Sequence, residues 1–312
     1  MKLALVFPGQ GSQSVGMMQS FAGVTAVRET FAEASEVLNQ DLWKLAAEGP
    51  AEHLNATVNT QPLMLTAGIA VYRAWREAGG PAPSVVAGHS LGEYTALVAA
   101  GVIAFSDALP LVRFRAQAMQ EAVPIGTGAM AAVLGLDDDG VRAACSEAAQ
   151  GEVVEAVNFN APSQVVIAGH KSAVERGAAL AKEKGAKRAV LLPVSAPFHS
   201  SLLKPAAERL GQYLASVAFQ TPQIPMINNV DVAMLSEAAA IKDALARQAC
   251  NAVRWVEVIK AMSANGVTHV AECGPGKVLA GLTKRIDSAL QGLAIADAAS
   301  LEQTLQTLRQ AA

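Results

Sequence analysis

The sequence predicts an α/β protein in which a small subdomain is inserted into a larger domain with a parallel sheet. Short β-rich runs alternate with longer helical patterns along most of the 312 residues, as is typical of this class. Leu3–Phe7 is an apolar run of the kind that forms a strand buried on both faces of a parallel sheet. Hydrophobic residues make up 52% of the chain and charged residues 16%, which is enough apolar material for a sizeable core.

The larger domain is predicted to be discontinuous, covering residues 1–124 and 197–312. Its first part is predicted to contain, in order, a strand at Leu3–Phe7, helices at 27–38 and 62–78, a strand at 85–87, and helices at 91–100 and 107–122. After the insertion we expect a helix at 202–216, a strand at 225–228, helices at 238–249 and 253–265, a strand at 267–272, and helices at 277–285 and 301–309.

Residues 125–196 have a different order of strand and helix patterns and are predicted to form the small subdomain. Its elements are predicted as a strand at 129–136, a helix at 138–149, strands at 153–160 and 163–168, a helix at 171–184, and a strand at 189–194. In the first helix, Val141, Ala144, Cys145 and Ala148 follow the spacing of one helical face. The order βαββαβ is that of a ferredoxin-like unit.

Charge and cysteine usage exclude several function classes. The chain has 24 Lys and Arg against 27 Asp and Glu, a net charge of −3, so it lacks the basic excess of a nucleic-acid binder. Three widely spaced cysteines and five histidines without paired spacing give no disulfide framework and no metal site. The N-terminal apolar run is too brief for a signal peptide, and the uncharged runs are too short to span a membrane. We therefore expect a cytoplasmic protein that binds neither membrane nor metal.

The most informative motif is Gly88-His89-Ser90-Leu91-Gly92, which lies between a predicted strand and a predicted helix. A sharp strand-to-helix turn strains the backbone of its middle residue, and glycines two positions away on either side prevent a collision. Ser90 would then stand at a helix N-terminus, where developing negative charge is favoured. The motif predicts a nucleophilic serine, the alternative being a serine that only caps the helix.

A serine nucleophile needs a base, and His199 is the best candidate among the histidines. It follows a predicted strand in a loop bounded by proline, whereas the side chain of His89 should point away from its neighbour Ser90. The alternative for a single loop histidine is a packed or solvent-facing residue. No acidic residue occupies an obvious triad position, so a Ser-His pair oriented by a carbonyl or an amide remains an alternative to a full triad.

Two further segments suggest groups around this serine. The loop after the first strand, residues 7–13, is followed by Ser14, where a dinucleotide fingerprint needs its third glycine. We therefore expect this loop to supply an oxyanion donor together with the N–H of Leu91. Arg113 and Arg115 lie two apart in an apolar helix, so at most one points inward. An inward guanidinium suits a carboxylate; the alternative is two arginines at the surface.

The sequence resembles the malonyl-CoA:acyl carrier protein transacylases of bacterial fatty-acid synthesis. The resemblance runs nearly end to end and is carried by these blocks: Phe7-Pro8-Gly9-Gln10-Gly11-Ser12-Gln13, Asn59-Thr60-Gln61-Pro62, Gly88-His89-Ser90-Leu91-Gly92-Glu93, Gly126-Thr127-Gly128-Ala129-Met130, Val157-Asn158-Phe159-Asn160, Pro197-Phe198-His199-Ser200, Arg247-Gln248 and Gly274-Pro275-Gly276-Lys277-Val278-Leu279. It implies a hydrolase-like α/β domain with an inserted ferredoxin-like subdomain.

The resemblance also implies roles for particular residues. Ser90 is expected to be the nucleophile and His199 its base, with the N–H groups of Gln10 and Leu91 as the oxyanion hole. Gln248 is expected to orient His199 in place of a triad acid.

Further residues are implied to bind the substrate. Arg115, rather than Arg113, would bind the malonyl carboxylate, and Asn160 would lie near the pocket in a supporting role. Phe198 is the residue that accompanies malonyl over methylmalonyl selection in related polyketide acyltransferases.

The implied reaction transfers malonyl from malonyl-CoA to the phosphopantetheine thiol of acyl carrier protein through a malonyl-serine, without a cofactor. We expect a monomer, with the acidic carrier docking on the basic residues Lys187, Arg188, Lys284 and Arg285. The alternatives are a serine hydrolase such as a thioesterase, a non-catalytic module that binds the carrier, and a related malonyltransferase of polyketide synthesis or malonate decarboxylase.

Overall fold

The computed structural model describes residues 1–311, which form eight β-strands and thirteen α-helices. The strands are β1 (Leu3–Phe7), β2 (Val85–Gly88), β3 (Gly128–Leu134), β4 (Val154–Ala161), β5 (Gln164–His170), β6 (Arg188–Leu191), β7 (His269–Cys273) and β8 (Gln291–Ile295). The helices are α1 (Thr25–Leu38), α2 (Leu42–Glu48), α3 (Ala51–Asn55), α4 (Thr57–Glu77), α5 (Gly92–Ala99), α6 (Phe105–Glu121), α7 (Asp138–Ala149), α8 (Lys171–Glu183), α9 (Lys204–Ala215), α10 (Ala238–Gln248), α11 (Trp255–Ala264), α12 (Val278–Ile286) and α13 (Ala298–Gln310).

The larger sheet is parallel, with the strand order β2-β1-β7-β8. All five residues of β1 are buried, because helices cover both faces of this central strand. Leu3, Leu5 and Phe7 belong to a core formed with α4 and α5, whereas Ala4 and Val6 belong to a second core formed with α11 and α12. This explains why β1 is continuously apolar rather than alternating.

The smaller sheet is antiparallel, with the order β4-β5-β3-β6. Helices α7 and α8 pack on one of its faces, around a core that includes Val133 and Ile167. The opposite face carries Met130, Val166 and Ala168, and it faces the site described below. The predicted α/β class, with a parallel sheet and a separate small sheet, is therefore confirmed. All four strands of the small sheet lie within the predicted 125–196 subdomain, whose boundaries stay a prediction.

Several predicted elements differ from the structure. The predicted strand at 225–228 forms only isolated bridges, in which Met226 pairs with Val86. Strand β8 was not predicted, because this edge strand is only partly buried and contains Gly292. Helices α2 and α3 were also missed, and α4 begins at Thr57 rather than at Pro62, which lies inside the helix.

Within residues 1–311, no helix has both the length and the apolarity needed to cross a bilayer. The same residues contain no group of three or more His, Cys, Asp or Glu side chains arranged to hold a metal ion.

Candidate active site

A tight turn between β2 and α5 presents Ser90. Its φ is +52°, a left-handed conformation that is strained for a residue with a side chain. A Cβ atom on Gly88 would lie 1.8 Å from the carbonyl of Gly92, and one on Gly92 would lie 2.1 Å from the carbonyl oxygen of Phe7. Both positions therefore require glycine, as the motif predicted.

Ser90 and His199 form a hydrogen-bonded pair although 109 residues separate them in the chain. The Oγ of Ser90 lies 2.7 Å from Nε2 of His199, and Nδ1 of His199 lies 2.8 Å from the main-chain oxygen of Gln248. A carbonyl oxygen can only accept, so Nδ1 carries the proton and Nε2 is left to accept from the serine hydroxyl. The main chain of His199 is also left-handed, with φ +66°.

His199 is buried, and its environment keeps the imidazole neutral. Burial, followed by the positive charge of Arg115, lowers the pKa of His199 to about 3. A neutral imidazole facing a hydroxyl is the protonation state that a general base requires.

Arg115 projects from α6 into the site and is 2% exposed. Its Nη1 donates to Oε1 of Gln61 at 2.7 Å, and its Nη2 donates to Oε1 of Gln248 at 2.9 Å and to Oγ of Ser90 at 3.2 Å. All three acceptors are uncharged, and Arg115 forms no ion pair within residues 1–311. The site thus contains a buried cation without a directly bonded carboxylate.

Arg113 points the other way. It donates to the main-chain oxygen of Leu38 at 3.2 Å and to the side chain of Gln40. Only one of the two arginines therefore reaches the serine, in agreement with the argument that residues two apart on a helix face different directions.

Gln248 contacts His199 through its main chain. Its side chain does not bond His199; the main-chain carbonyl does. The side-chain amide instead donates from Nε2 to the main-chain oxygen of Ser90 at 2.9 Å and to Oε2 of Glu93 at 2.8 Å, and accepts from Arg115. The main-chain contact follows from position, because Gln248 is the last residue of α10, where main-chain carbonyls have no partner within the helix.

Three polar residues at the site were not singled out from the sequence. Asn229 accepts from the N–H of Ser90 through Oδ1 at 2.8 Å and donates to the carbonyl of Gly88 at 2.8 Å, so it braces the turn. The other two are Gln61 and Glu93, which are 1% exposed. Both lie within blocks that carry the resemblance, and a polar residue within an apolar helix was the available signal.

Gln10 and Leu91, whose main-chain N–H groups are expected to form an oxyanion hole, both line the cavity at Ser90. The parallel register sets Phe7 beside Gly88, and a Cβ on Gly9 would lie 2.5 Å from the carbonyl of His89, so the two loops touch. Within residues 1–311, neither of these N–H groups donates a hydrogen bond to another group. Both donors are therefore free within these residues, and their role as an oxyanion hole stays a prediction.

The cavity at the dyad has an empty volume of about 580 Å³. Its apolar wall is formed by Met119, Met130, Leu192, Val194 and Phe198. A groove of about 890 Å³ adjoins it and shares four lining residues with it: Gln10, His89, Asn158 and Leu192. Asn160 lines this groove rather than the cavity, and its Oδ1 lies 2.7 Å from Nε2 of His89.

The four basic residues expected to dock the carrier are exposed. Arg285 donates to Oε1 of Gln164, a residue that lines the groove, at 2.5 Å. Leu134 of β3 pairs with Gln164 on one side and with Arg188 on the other. Two strand spacings, about 10 Å, therefore separate the backbones of Arg188 and Gln164. Lys187 adjoins Arg188, and Lys284 adjoins Arg285.

Comparisons with known proteins identify the family of this chain. The sequence model of the acyl transferase domain family matches residues 4–304. The malonyl CoA-acyl carrier protein transacylase of Escherichia coli strain K12 is 56% identical over 306 residues, which cover 98% of this chain and 99% of that protein.

Two solved structures extend the comparison. The acyl-carrier-protein S-malonyltransferase of Burkholderia pseudomallei 1710b is 67% identical and superimposes with a TM-score of 0.97, covering 98% of this chain and 100% of that one. A malonyl-transacylase solved in complex with its type II PKS acyl-carrier protein is 52% identical, with a TM-score of 0.97 and the same coverage. The chain described here belongs to the acyl transferase family and, within it, to the malonyl CoA-acyl carrier protein transacylases.

Proposed function

We propose that this protein transfers the malonyl group from malonyl-CoA to the phosphopantetheine thiol of an acyl carrier protein, through a malonyl ester on Ser90. The observation that carries the proposal is a neutral Ser-His pair beside a buried guanidinium: Nη2 of Arg115 lies 3.2 Å from the Ser90 hydroxyl. The relatives named for this reaction, and the relative solved with its carrier protein, support the same substrates.

In the first half-reaction, Nε2 of His199 accepts the hydroxyl proton of Ser90 while Oγ attacks the thioester carbonyl. The carbonyl oxygen becomes an oxyanion that accepts hydrogen bonds from the N–H groups of Gln10 and Leu91. The tetrahedral adduct then breaks its carbon–sulfur bond, and the departing thiolate of coenzyme A takes the proton from His199. The main-chain carbonyl of Gln248 stabilises the transient imidazolium through Nδ1.

The second half-reaction runs the same steps with a new thiol. His199 accepts the proton of the phosphopantetheine thiol, whose sulfur attacks the malonyl ester, and the oxyanion occupies the same pair of N–H groups. When the carbon–oxygen bond to Ser90 breaks, His199 returns the proton to Oγ. The free serine is regenerated, so the cycle is of the ping-pong type.

Arg115 accounts for the choice of acyl group. A malonyl ester on Ser90 carries a free carboxylate, which can pair with the guanidinium that lies beside Oγ. Because Arg115 is buried and its protein partners are uncharged, the substrate carboxylate would be the first to neutralise it directly. An acetyl group cannot form this contact.

The groove beside the cavity supports a route for the pantetheine arm. It reaches Gln164, and Arg285 is bonded to this residue at the rim. Arg188, on the same end of the small sheet, adds a second positive charge. We propose that the acidic carrier protein docks here, because positive charge at the rim attracts it and guides its arm inward.

We also propose that the protein is cytoplasmic. The three cysteines are free, which is compatible with a reducing compartment. Burial raises the pKa of Cys145 to about 12, which disfavours its thiolate form.

The decisive experiment is mass spectrometry of the intact protein after mixing with malonyl-CoA. The wild-type protein should gain one malonyl group, hold it in the absence of a thiol, and lose it when holo carrier protein is added. Ser90→Ala should gain none, and Arg113→Ala serves as the matched control that retains the label. A malonyl-serine that water removes as fast as it forms would favour the hydrolase alternative instead. Carriers from fatty-acid and type II PKS systems, supplied separately, would identify the preferred partner.

A further inference from the structure

Glu93 is a buried acid directly behind the dyad. It lies in the first turn of α5, three residues after Ser90, and is 1% exposed. Its Oε2 accepts two hydrogen bonds, from Nε2 of Gln248 at 2.8 Å and from the main-chain N–H of Asn229 at 3.1 Å. No step of the reaction above uses this carboxyl group.

The two partners of Glu93 are the residues that hold the reacting groups. Asn229 accepts from the N–H of Ser90, and Gln248 bonds His199 through its carbonyl and Arg115 through its side chain. One carboxyl group thus ties together the two segments, around 229 and 248, that fix the geometry of the site.

Glu93 is also linked electrostatically to Arg115. The amide of Gln248 bridges them, since Nε2 donates to Glu93 while Oε1 accepts from Nη2 of Arg115. Without substrate, the guanidinium charge favours ionised Glu93. A malonyl carboxylate on Arg115 would neutralise that charge and place a second anion nearby. The ionised form of Glu93 would then be less stable, and the pKa of Glu93 would rise. The negative charge of Asp231, in the loop before α10, already raises the pKa of Glu93 by the same kind of repulsion.

We propose that Glu93 is a positioning residue that also balances charge: it holds Gln248 and Asn229 in place, and where it is ionised it takes up a proton from solvent when a malonyl carboxylate binds Arg115. The inference rests on the proposed malonyl transfer. The malonyl carboxylate stays ionised throughout. The proton comes from solvent and forms the O–H bond of the Glu93 carboxylic acid.

The ionisation of Glu93 suits this role. Burial raises the pKa of Glu93 to about 7, although its hydrogen bonds and Arg115 act in the opposite direction. Near neutral pH the free enzyme therefore contains both forms of the acid, and a further increase in its pKa shifts Glu93 to the protonated form. His199, whose pKa is lowered to about 3, starts too far from neutrality to supply the same proton uptake.

The test is the pH dependence of the malonyl-CoA concentration that gives half-maximal acylation of the protein. If binding takes up a proton, this concentration rises with pH; a pKa increase of one to two units on binding predicts a rise of about five- to tenfold between about pH 6 and about pH 8. Glu93→Gln keeps the size of the side chain but cannot ionise, so the rise should fall to less than about twofold.

Glu272→Gln is the matched control. Glu272 is likewise buried, and burial likewise raises its pKa to about 7, but its Oε2 accepts from Ala280 at the start of α12 rather than from the groups around Ser90. This variant should keep the wild-type pH dependence. A wild-type curve that does not change with pH, or a Glu93→Gln curve that follows the wild type, would overturn the inference.

One further measurement, read together with malonyl-serine formation, separates the outcomes. If Glu93→Gln does not fold, acylation of the wild-type protein by malonyl-CoA in weakly buffered solution near neutral pH decides the matter: net proton uptake supports the inference, and its absence overturns it. Failure of the wild-type protein to form malonyl-serine would refute the proposed function itself. Malonyl-serine formed without linked proton uptake would refute only the role of Glu93.

Discussion

Replacing Arg115 with alanine removes the buried cation next to the Ser90 hydroxyl while leaving the Ser-His pair intact. In the wild-type protein the guanidinium donates to Gln61, Gln248 and Ser90, and its charge has no directly bonded carboxylate. We expect Arg115→Ala to lose malonyl transfer selectively and to retain or gain transfer of uncharged acyl groups.

The magnitude follows from burial. Removing one partner of a buried charge pair costs about 3–5 kcal/mol, because the other charge is left without compensation. At about 1.4 kcal/mol for each factor of ten, this corresponds to a roughly hundred- to several-thousand-fold fall in kcat/KM for malonyl-CoA. Acetyl-CoA loses no such pair, so its kcat/KM should be unchanged or higher.

The assay measures kcat/KM for malonyl-CoA and acetyl-CoA with the same carrier protein. Arg113→Ala is the control, since Arg113 lies in the same helix but bonds Leu38 and Gln40 away from the serine. The control should keep the wild-type ratio of the two substrates. An Arg115→Ala protein that still prefers malonyl-CoA by the wild-type ratio would refute the role of the guanidinium.

Three further predictions concern the turn, the base and the docking surface. Gly88→Ala places a Cβ 1.8 Å from the main-chain carbonyl of Gly92, and urea titration should show a free energy of unfolding lower by about 3 kcal/mol or more. The control is Gly211→Ala, whose Cβ would lie 3.7 Å from the Cβ of Ala246; this variant should be neutral or stabilising. The pKa of His199 is lowered from 6.5 to about 3, so the base becomes protonated only when the pH falls through this lowered value. In stopped-flow measurements, kcat/KM for acylation should therefore begin to fall well below pH 6.5 on the acid side. A fall with an apparent pKa of 6.5 or above would contradict this. Reversing the charges of Arg188 and Arg285 should raise the KM for carrier protein by roughly three- to tenfold at low salt, with little effect at high salt; an unchanged KM would place the docking surface elsewhere.

Much of this architecture can be predicted from local patterns. The bounds of β1 agree with the prediction, because a short apolar run ending at Pro8 contains its own stop signal. The turn at Ser90 is likewise encoded within a few residues, since Gly88 and Gly92 are required by main-chain contacts near them in sequence or in the adjoining strand. By contrast, β8 is a partly buried edge strand and lacks a strong hydrophobic pattern.

The details of the site could not be predicted in the same way because they depend on contacts between distant segments. The sequence pointed to Gln248, but whether the side chain or the carbonyl meets His199 depends on where α10 ends relative to the dyad. Asn229 lies 139 residues from Ser90 in the chain and sits in a loop without regular structure. Its contact with the serine N–H exists only after the whole domain has folded.

The walls of the acyl cavity come from two sources. Ser90, His199 and Arg115 all lie outside the small antiparallel sheet, whereas Met130 belongs to it and Leu192 directly follows its last strand. Part of the cavity wall is thus encoded in a different stretch of the gene from the serine and its base. Recombining the central segment between relatives would therefore change that part of the wall while leaving Ser90, His199 and Arg115 untouched.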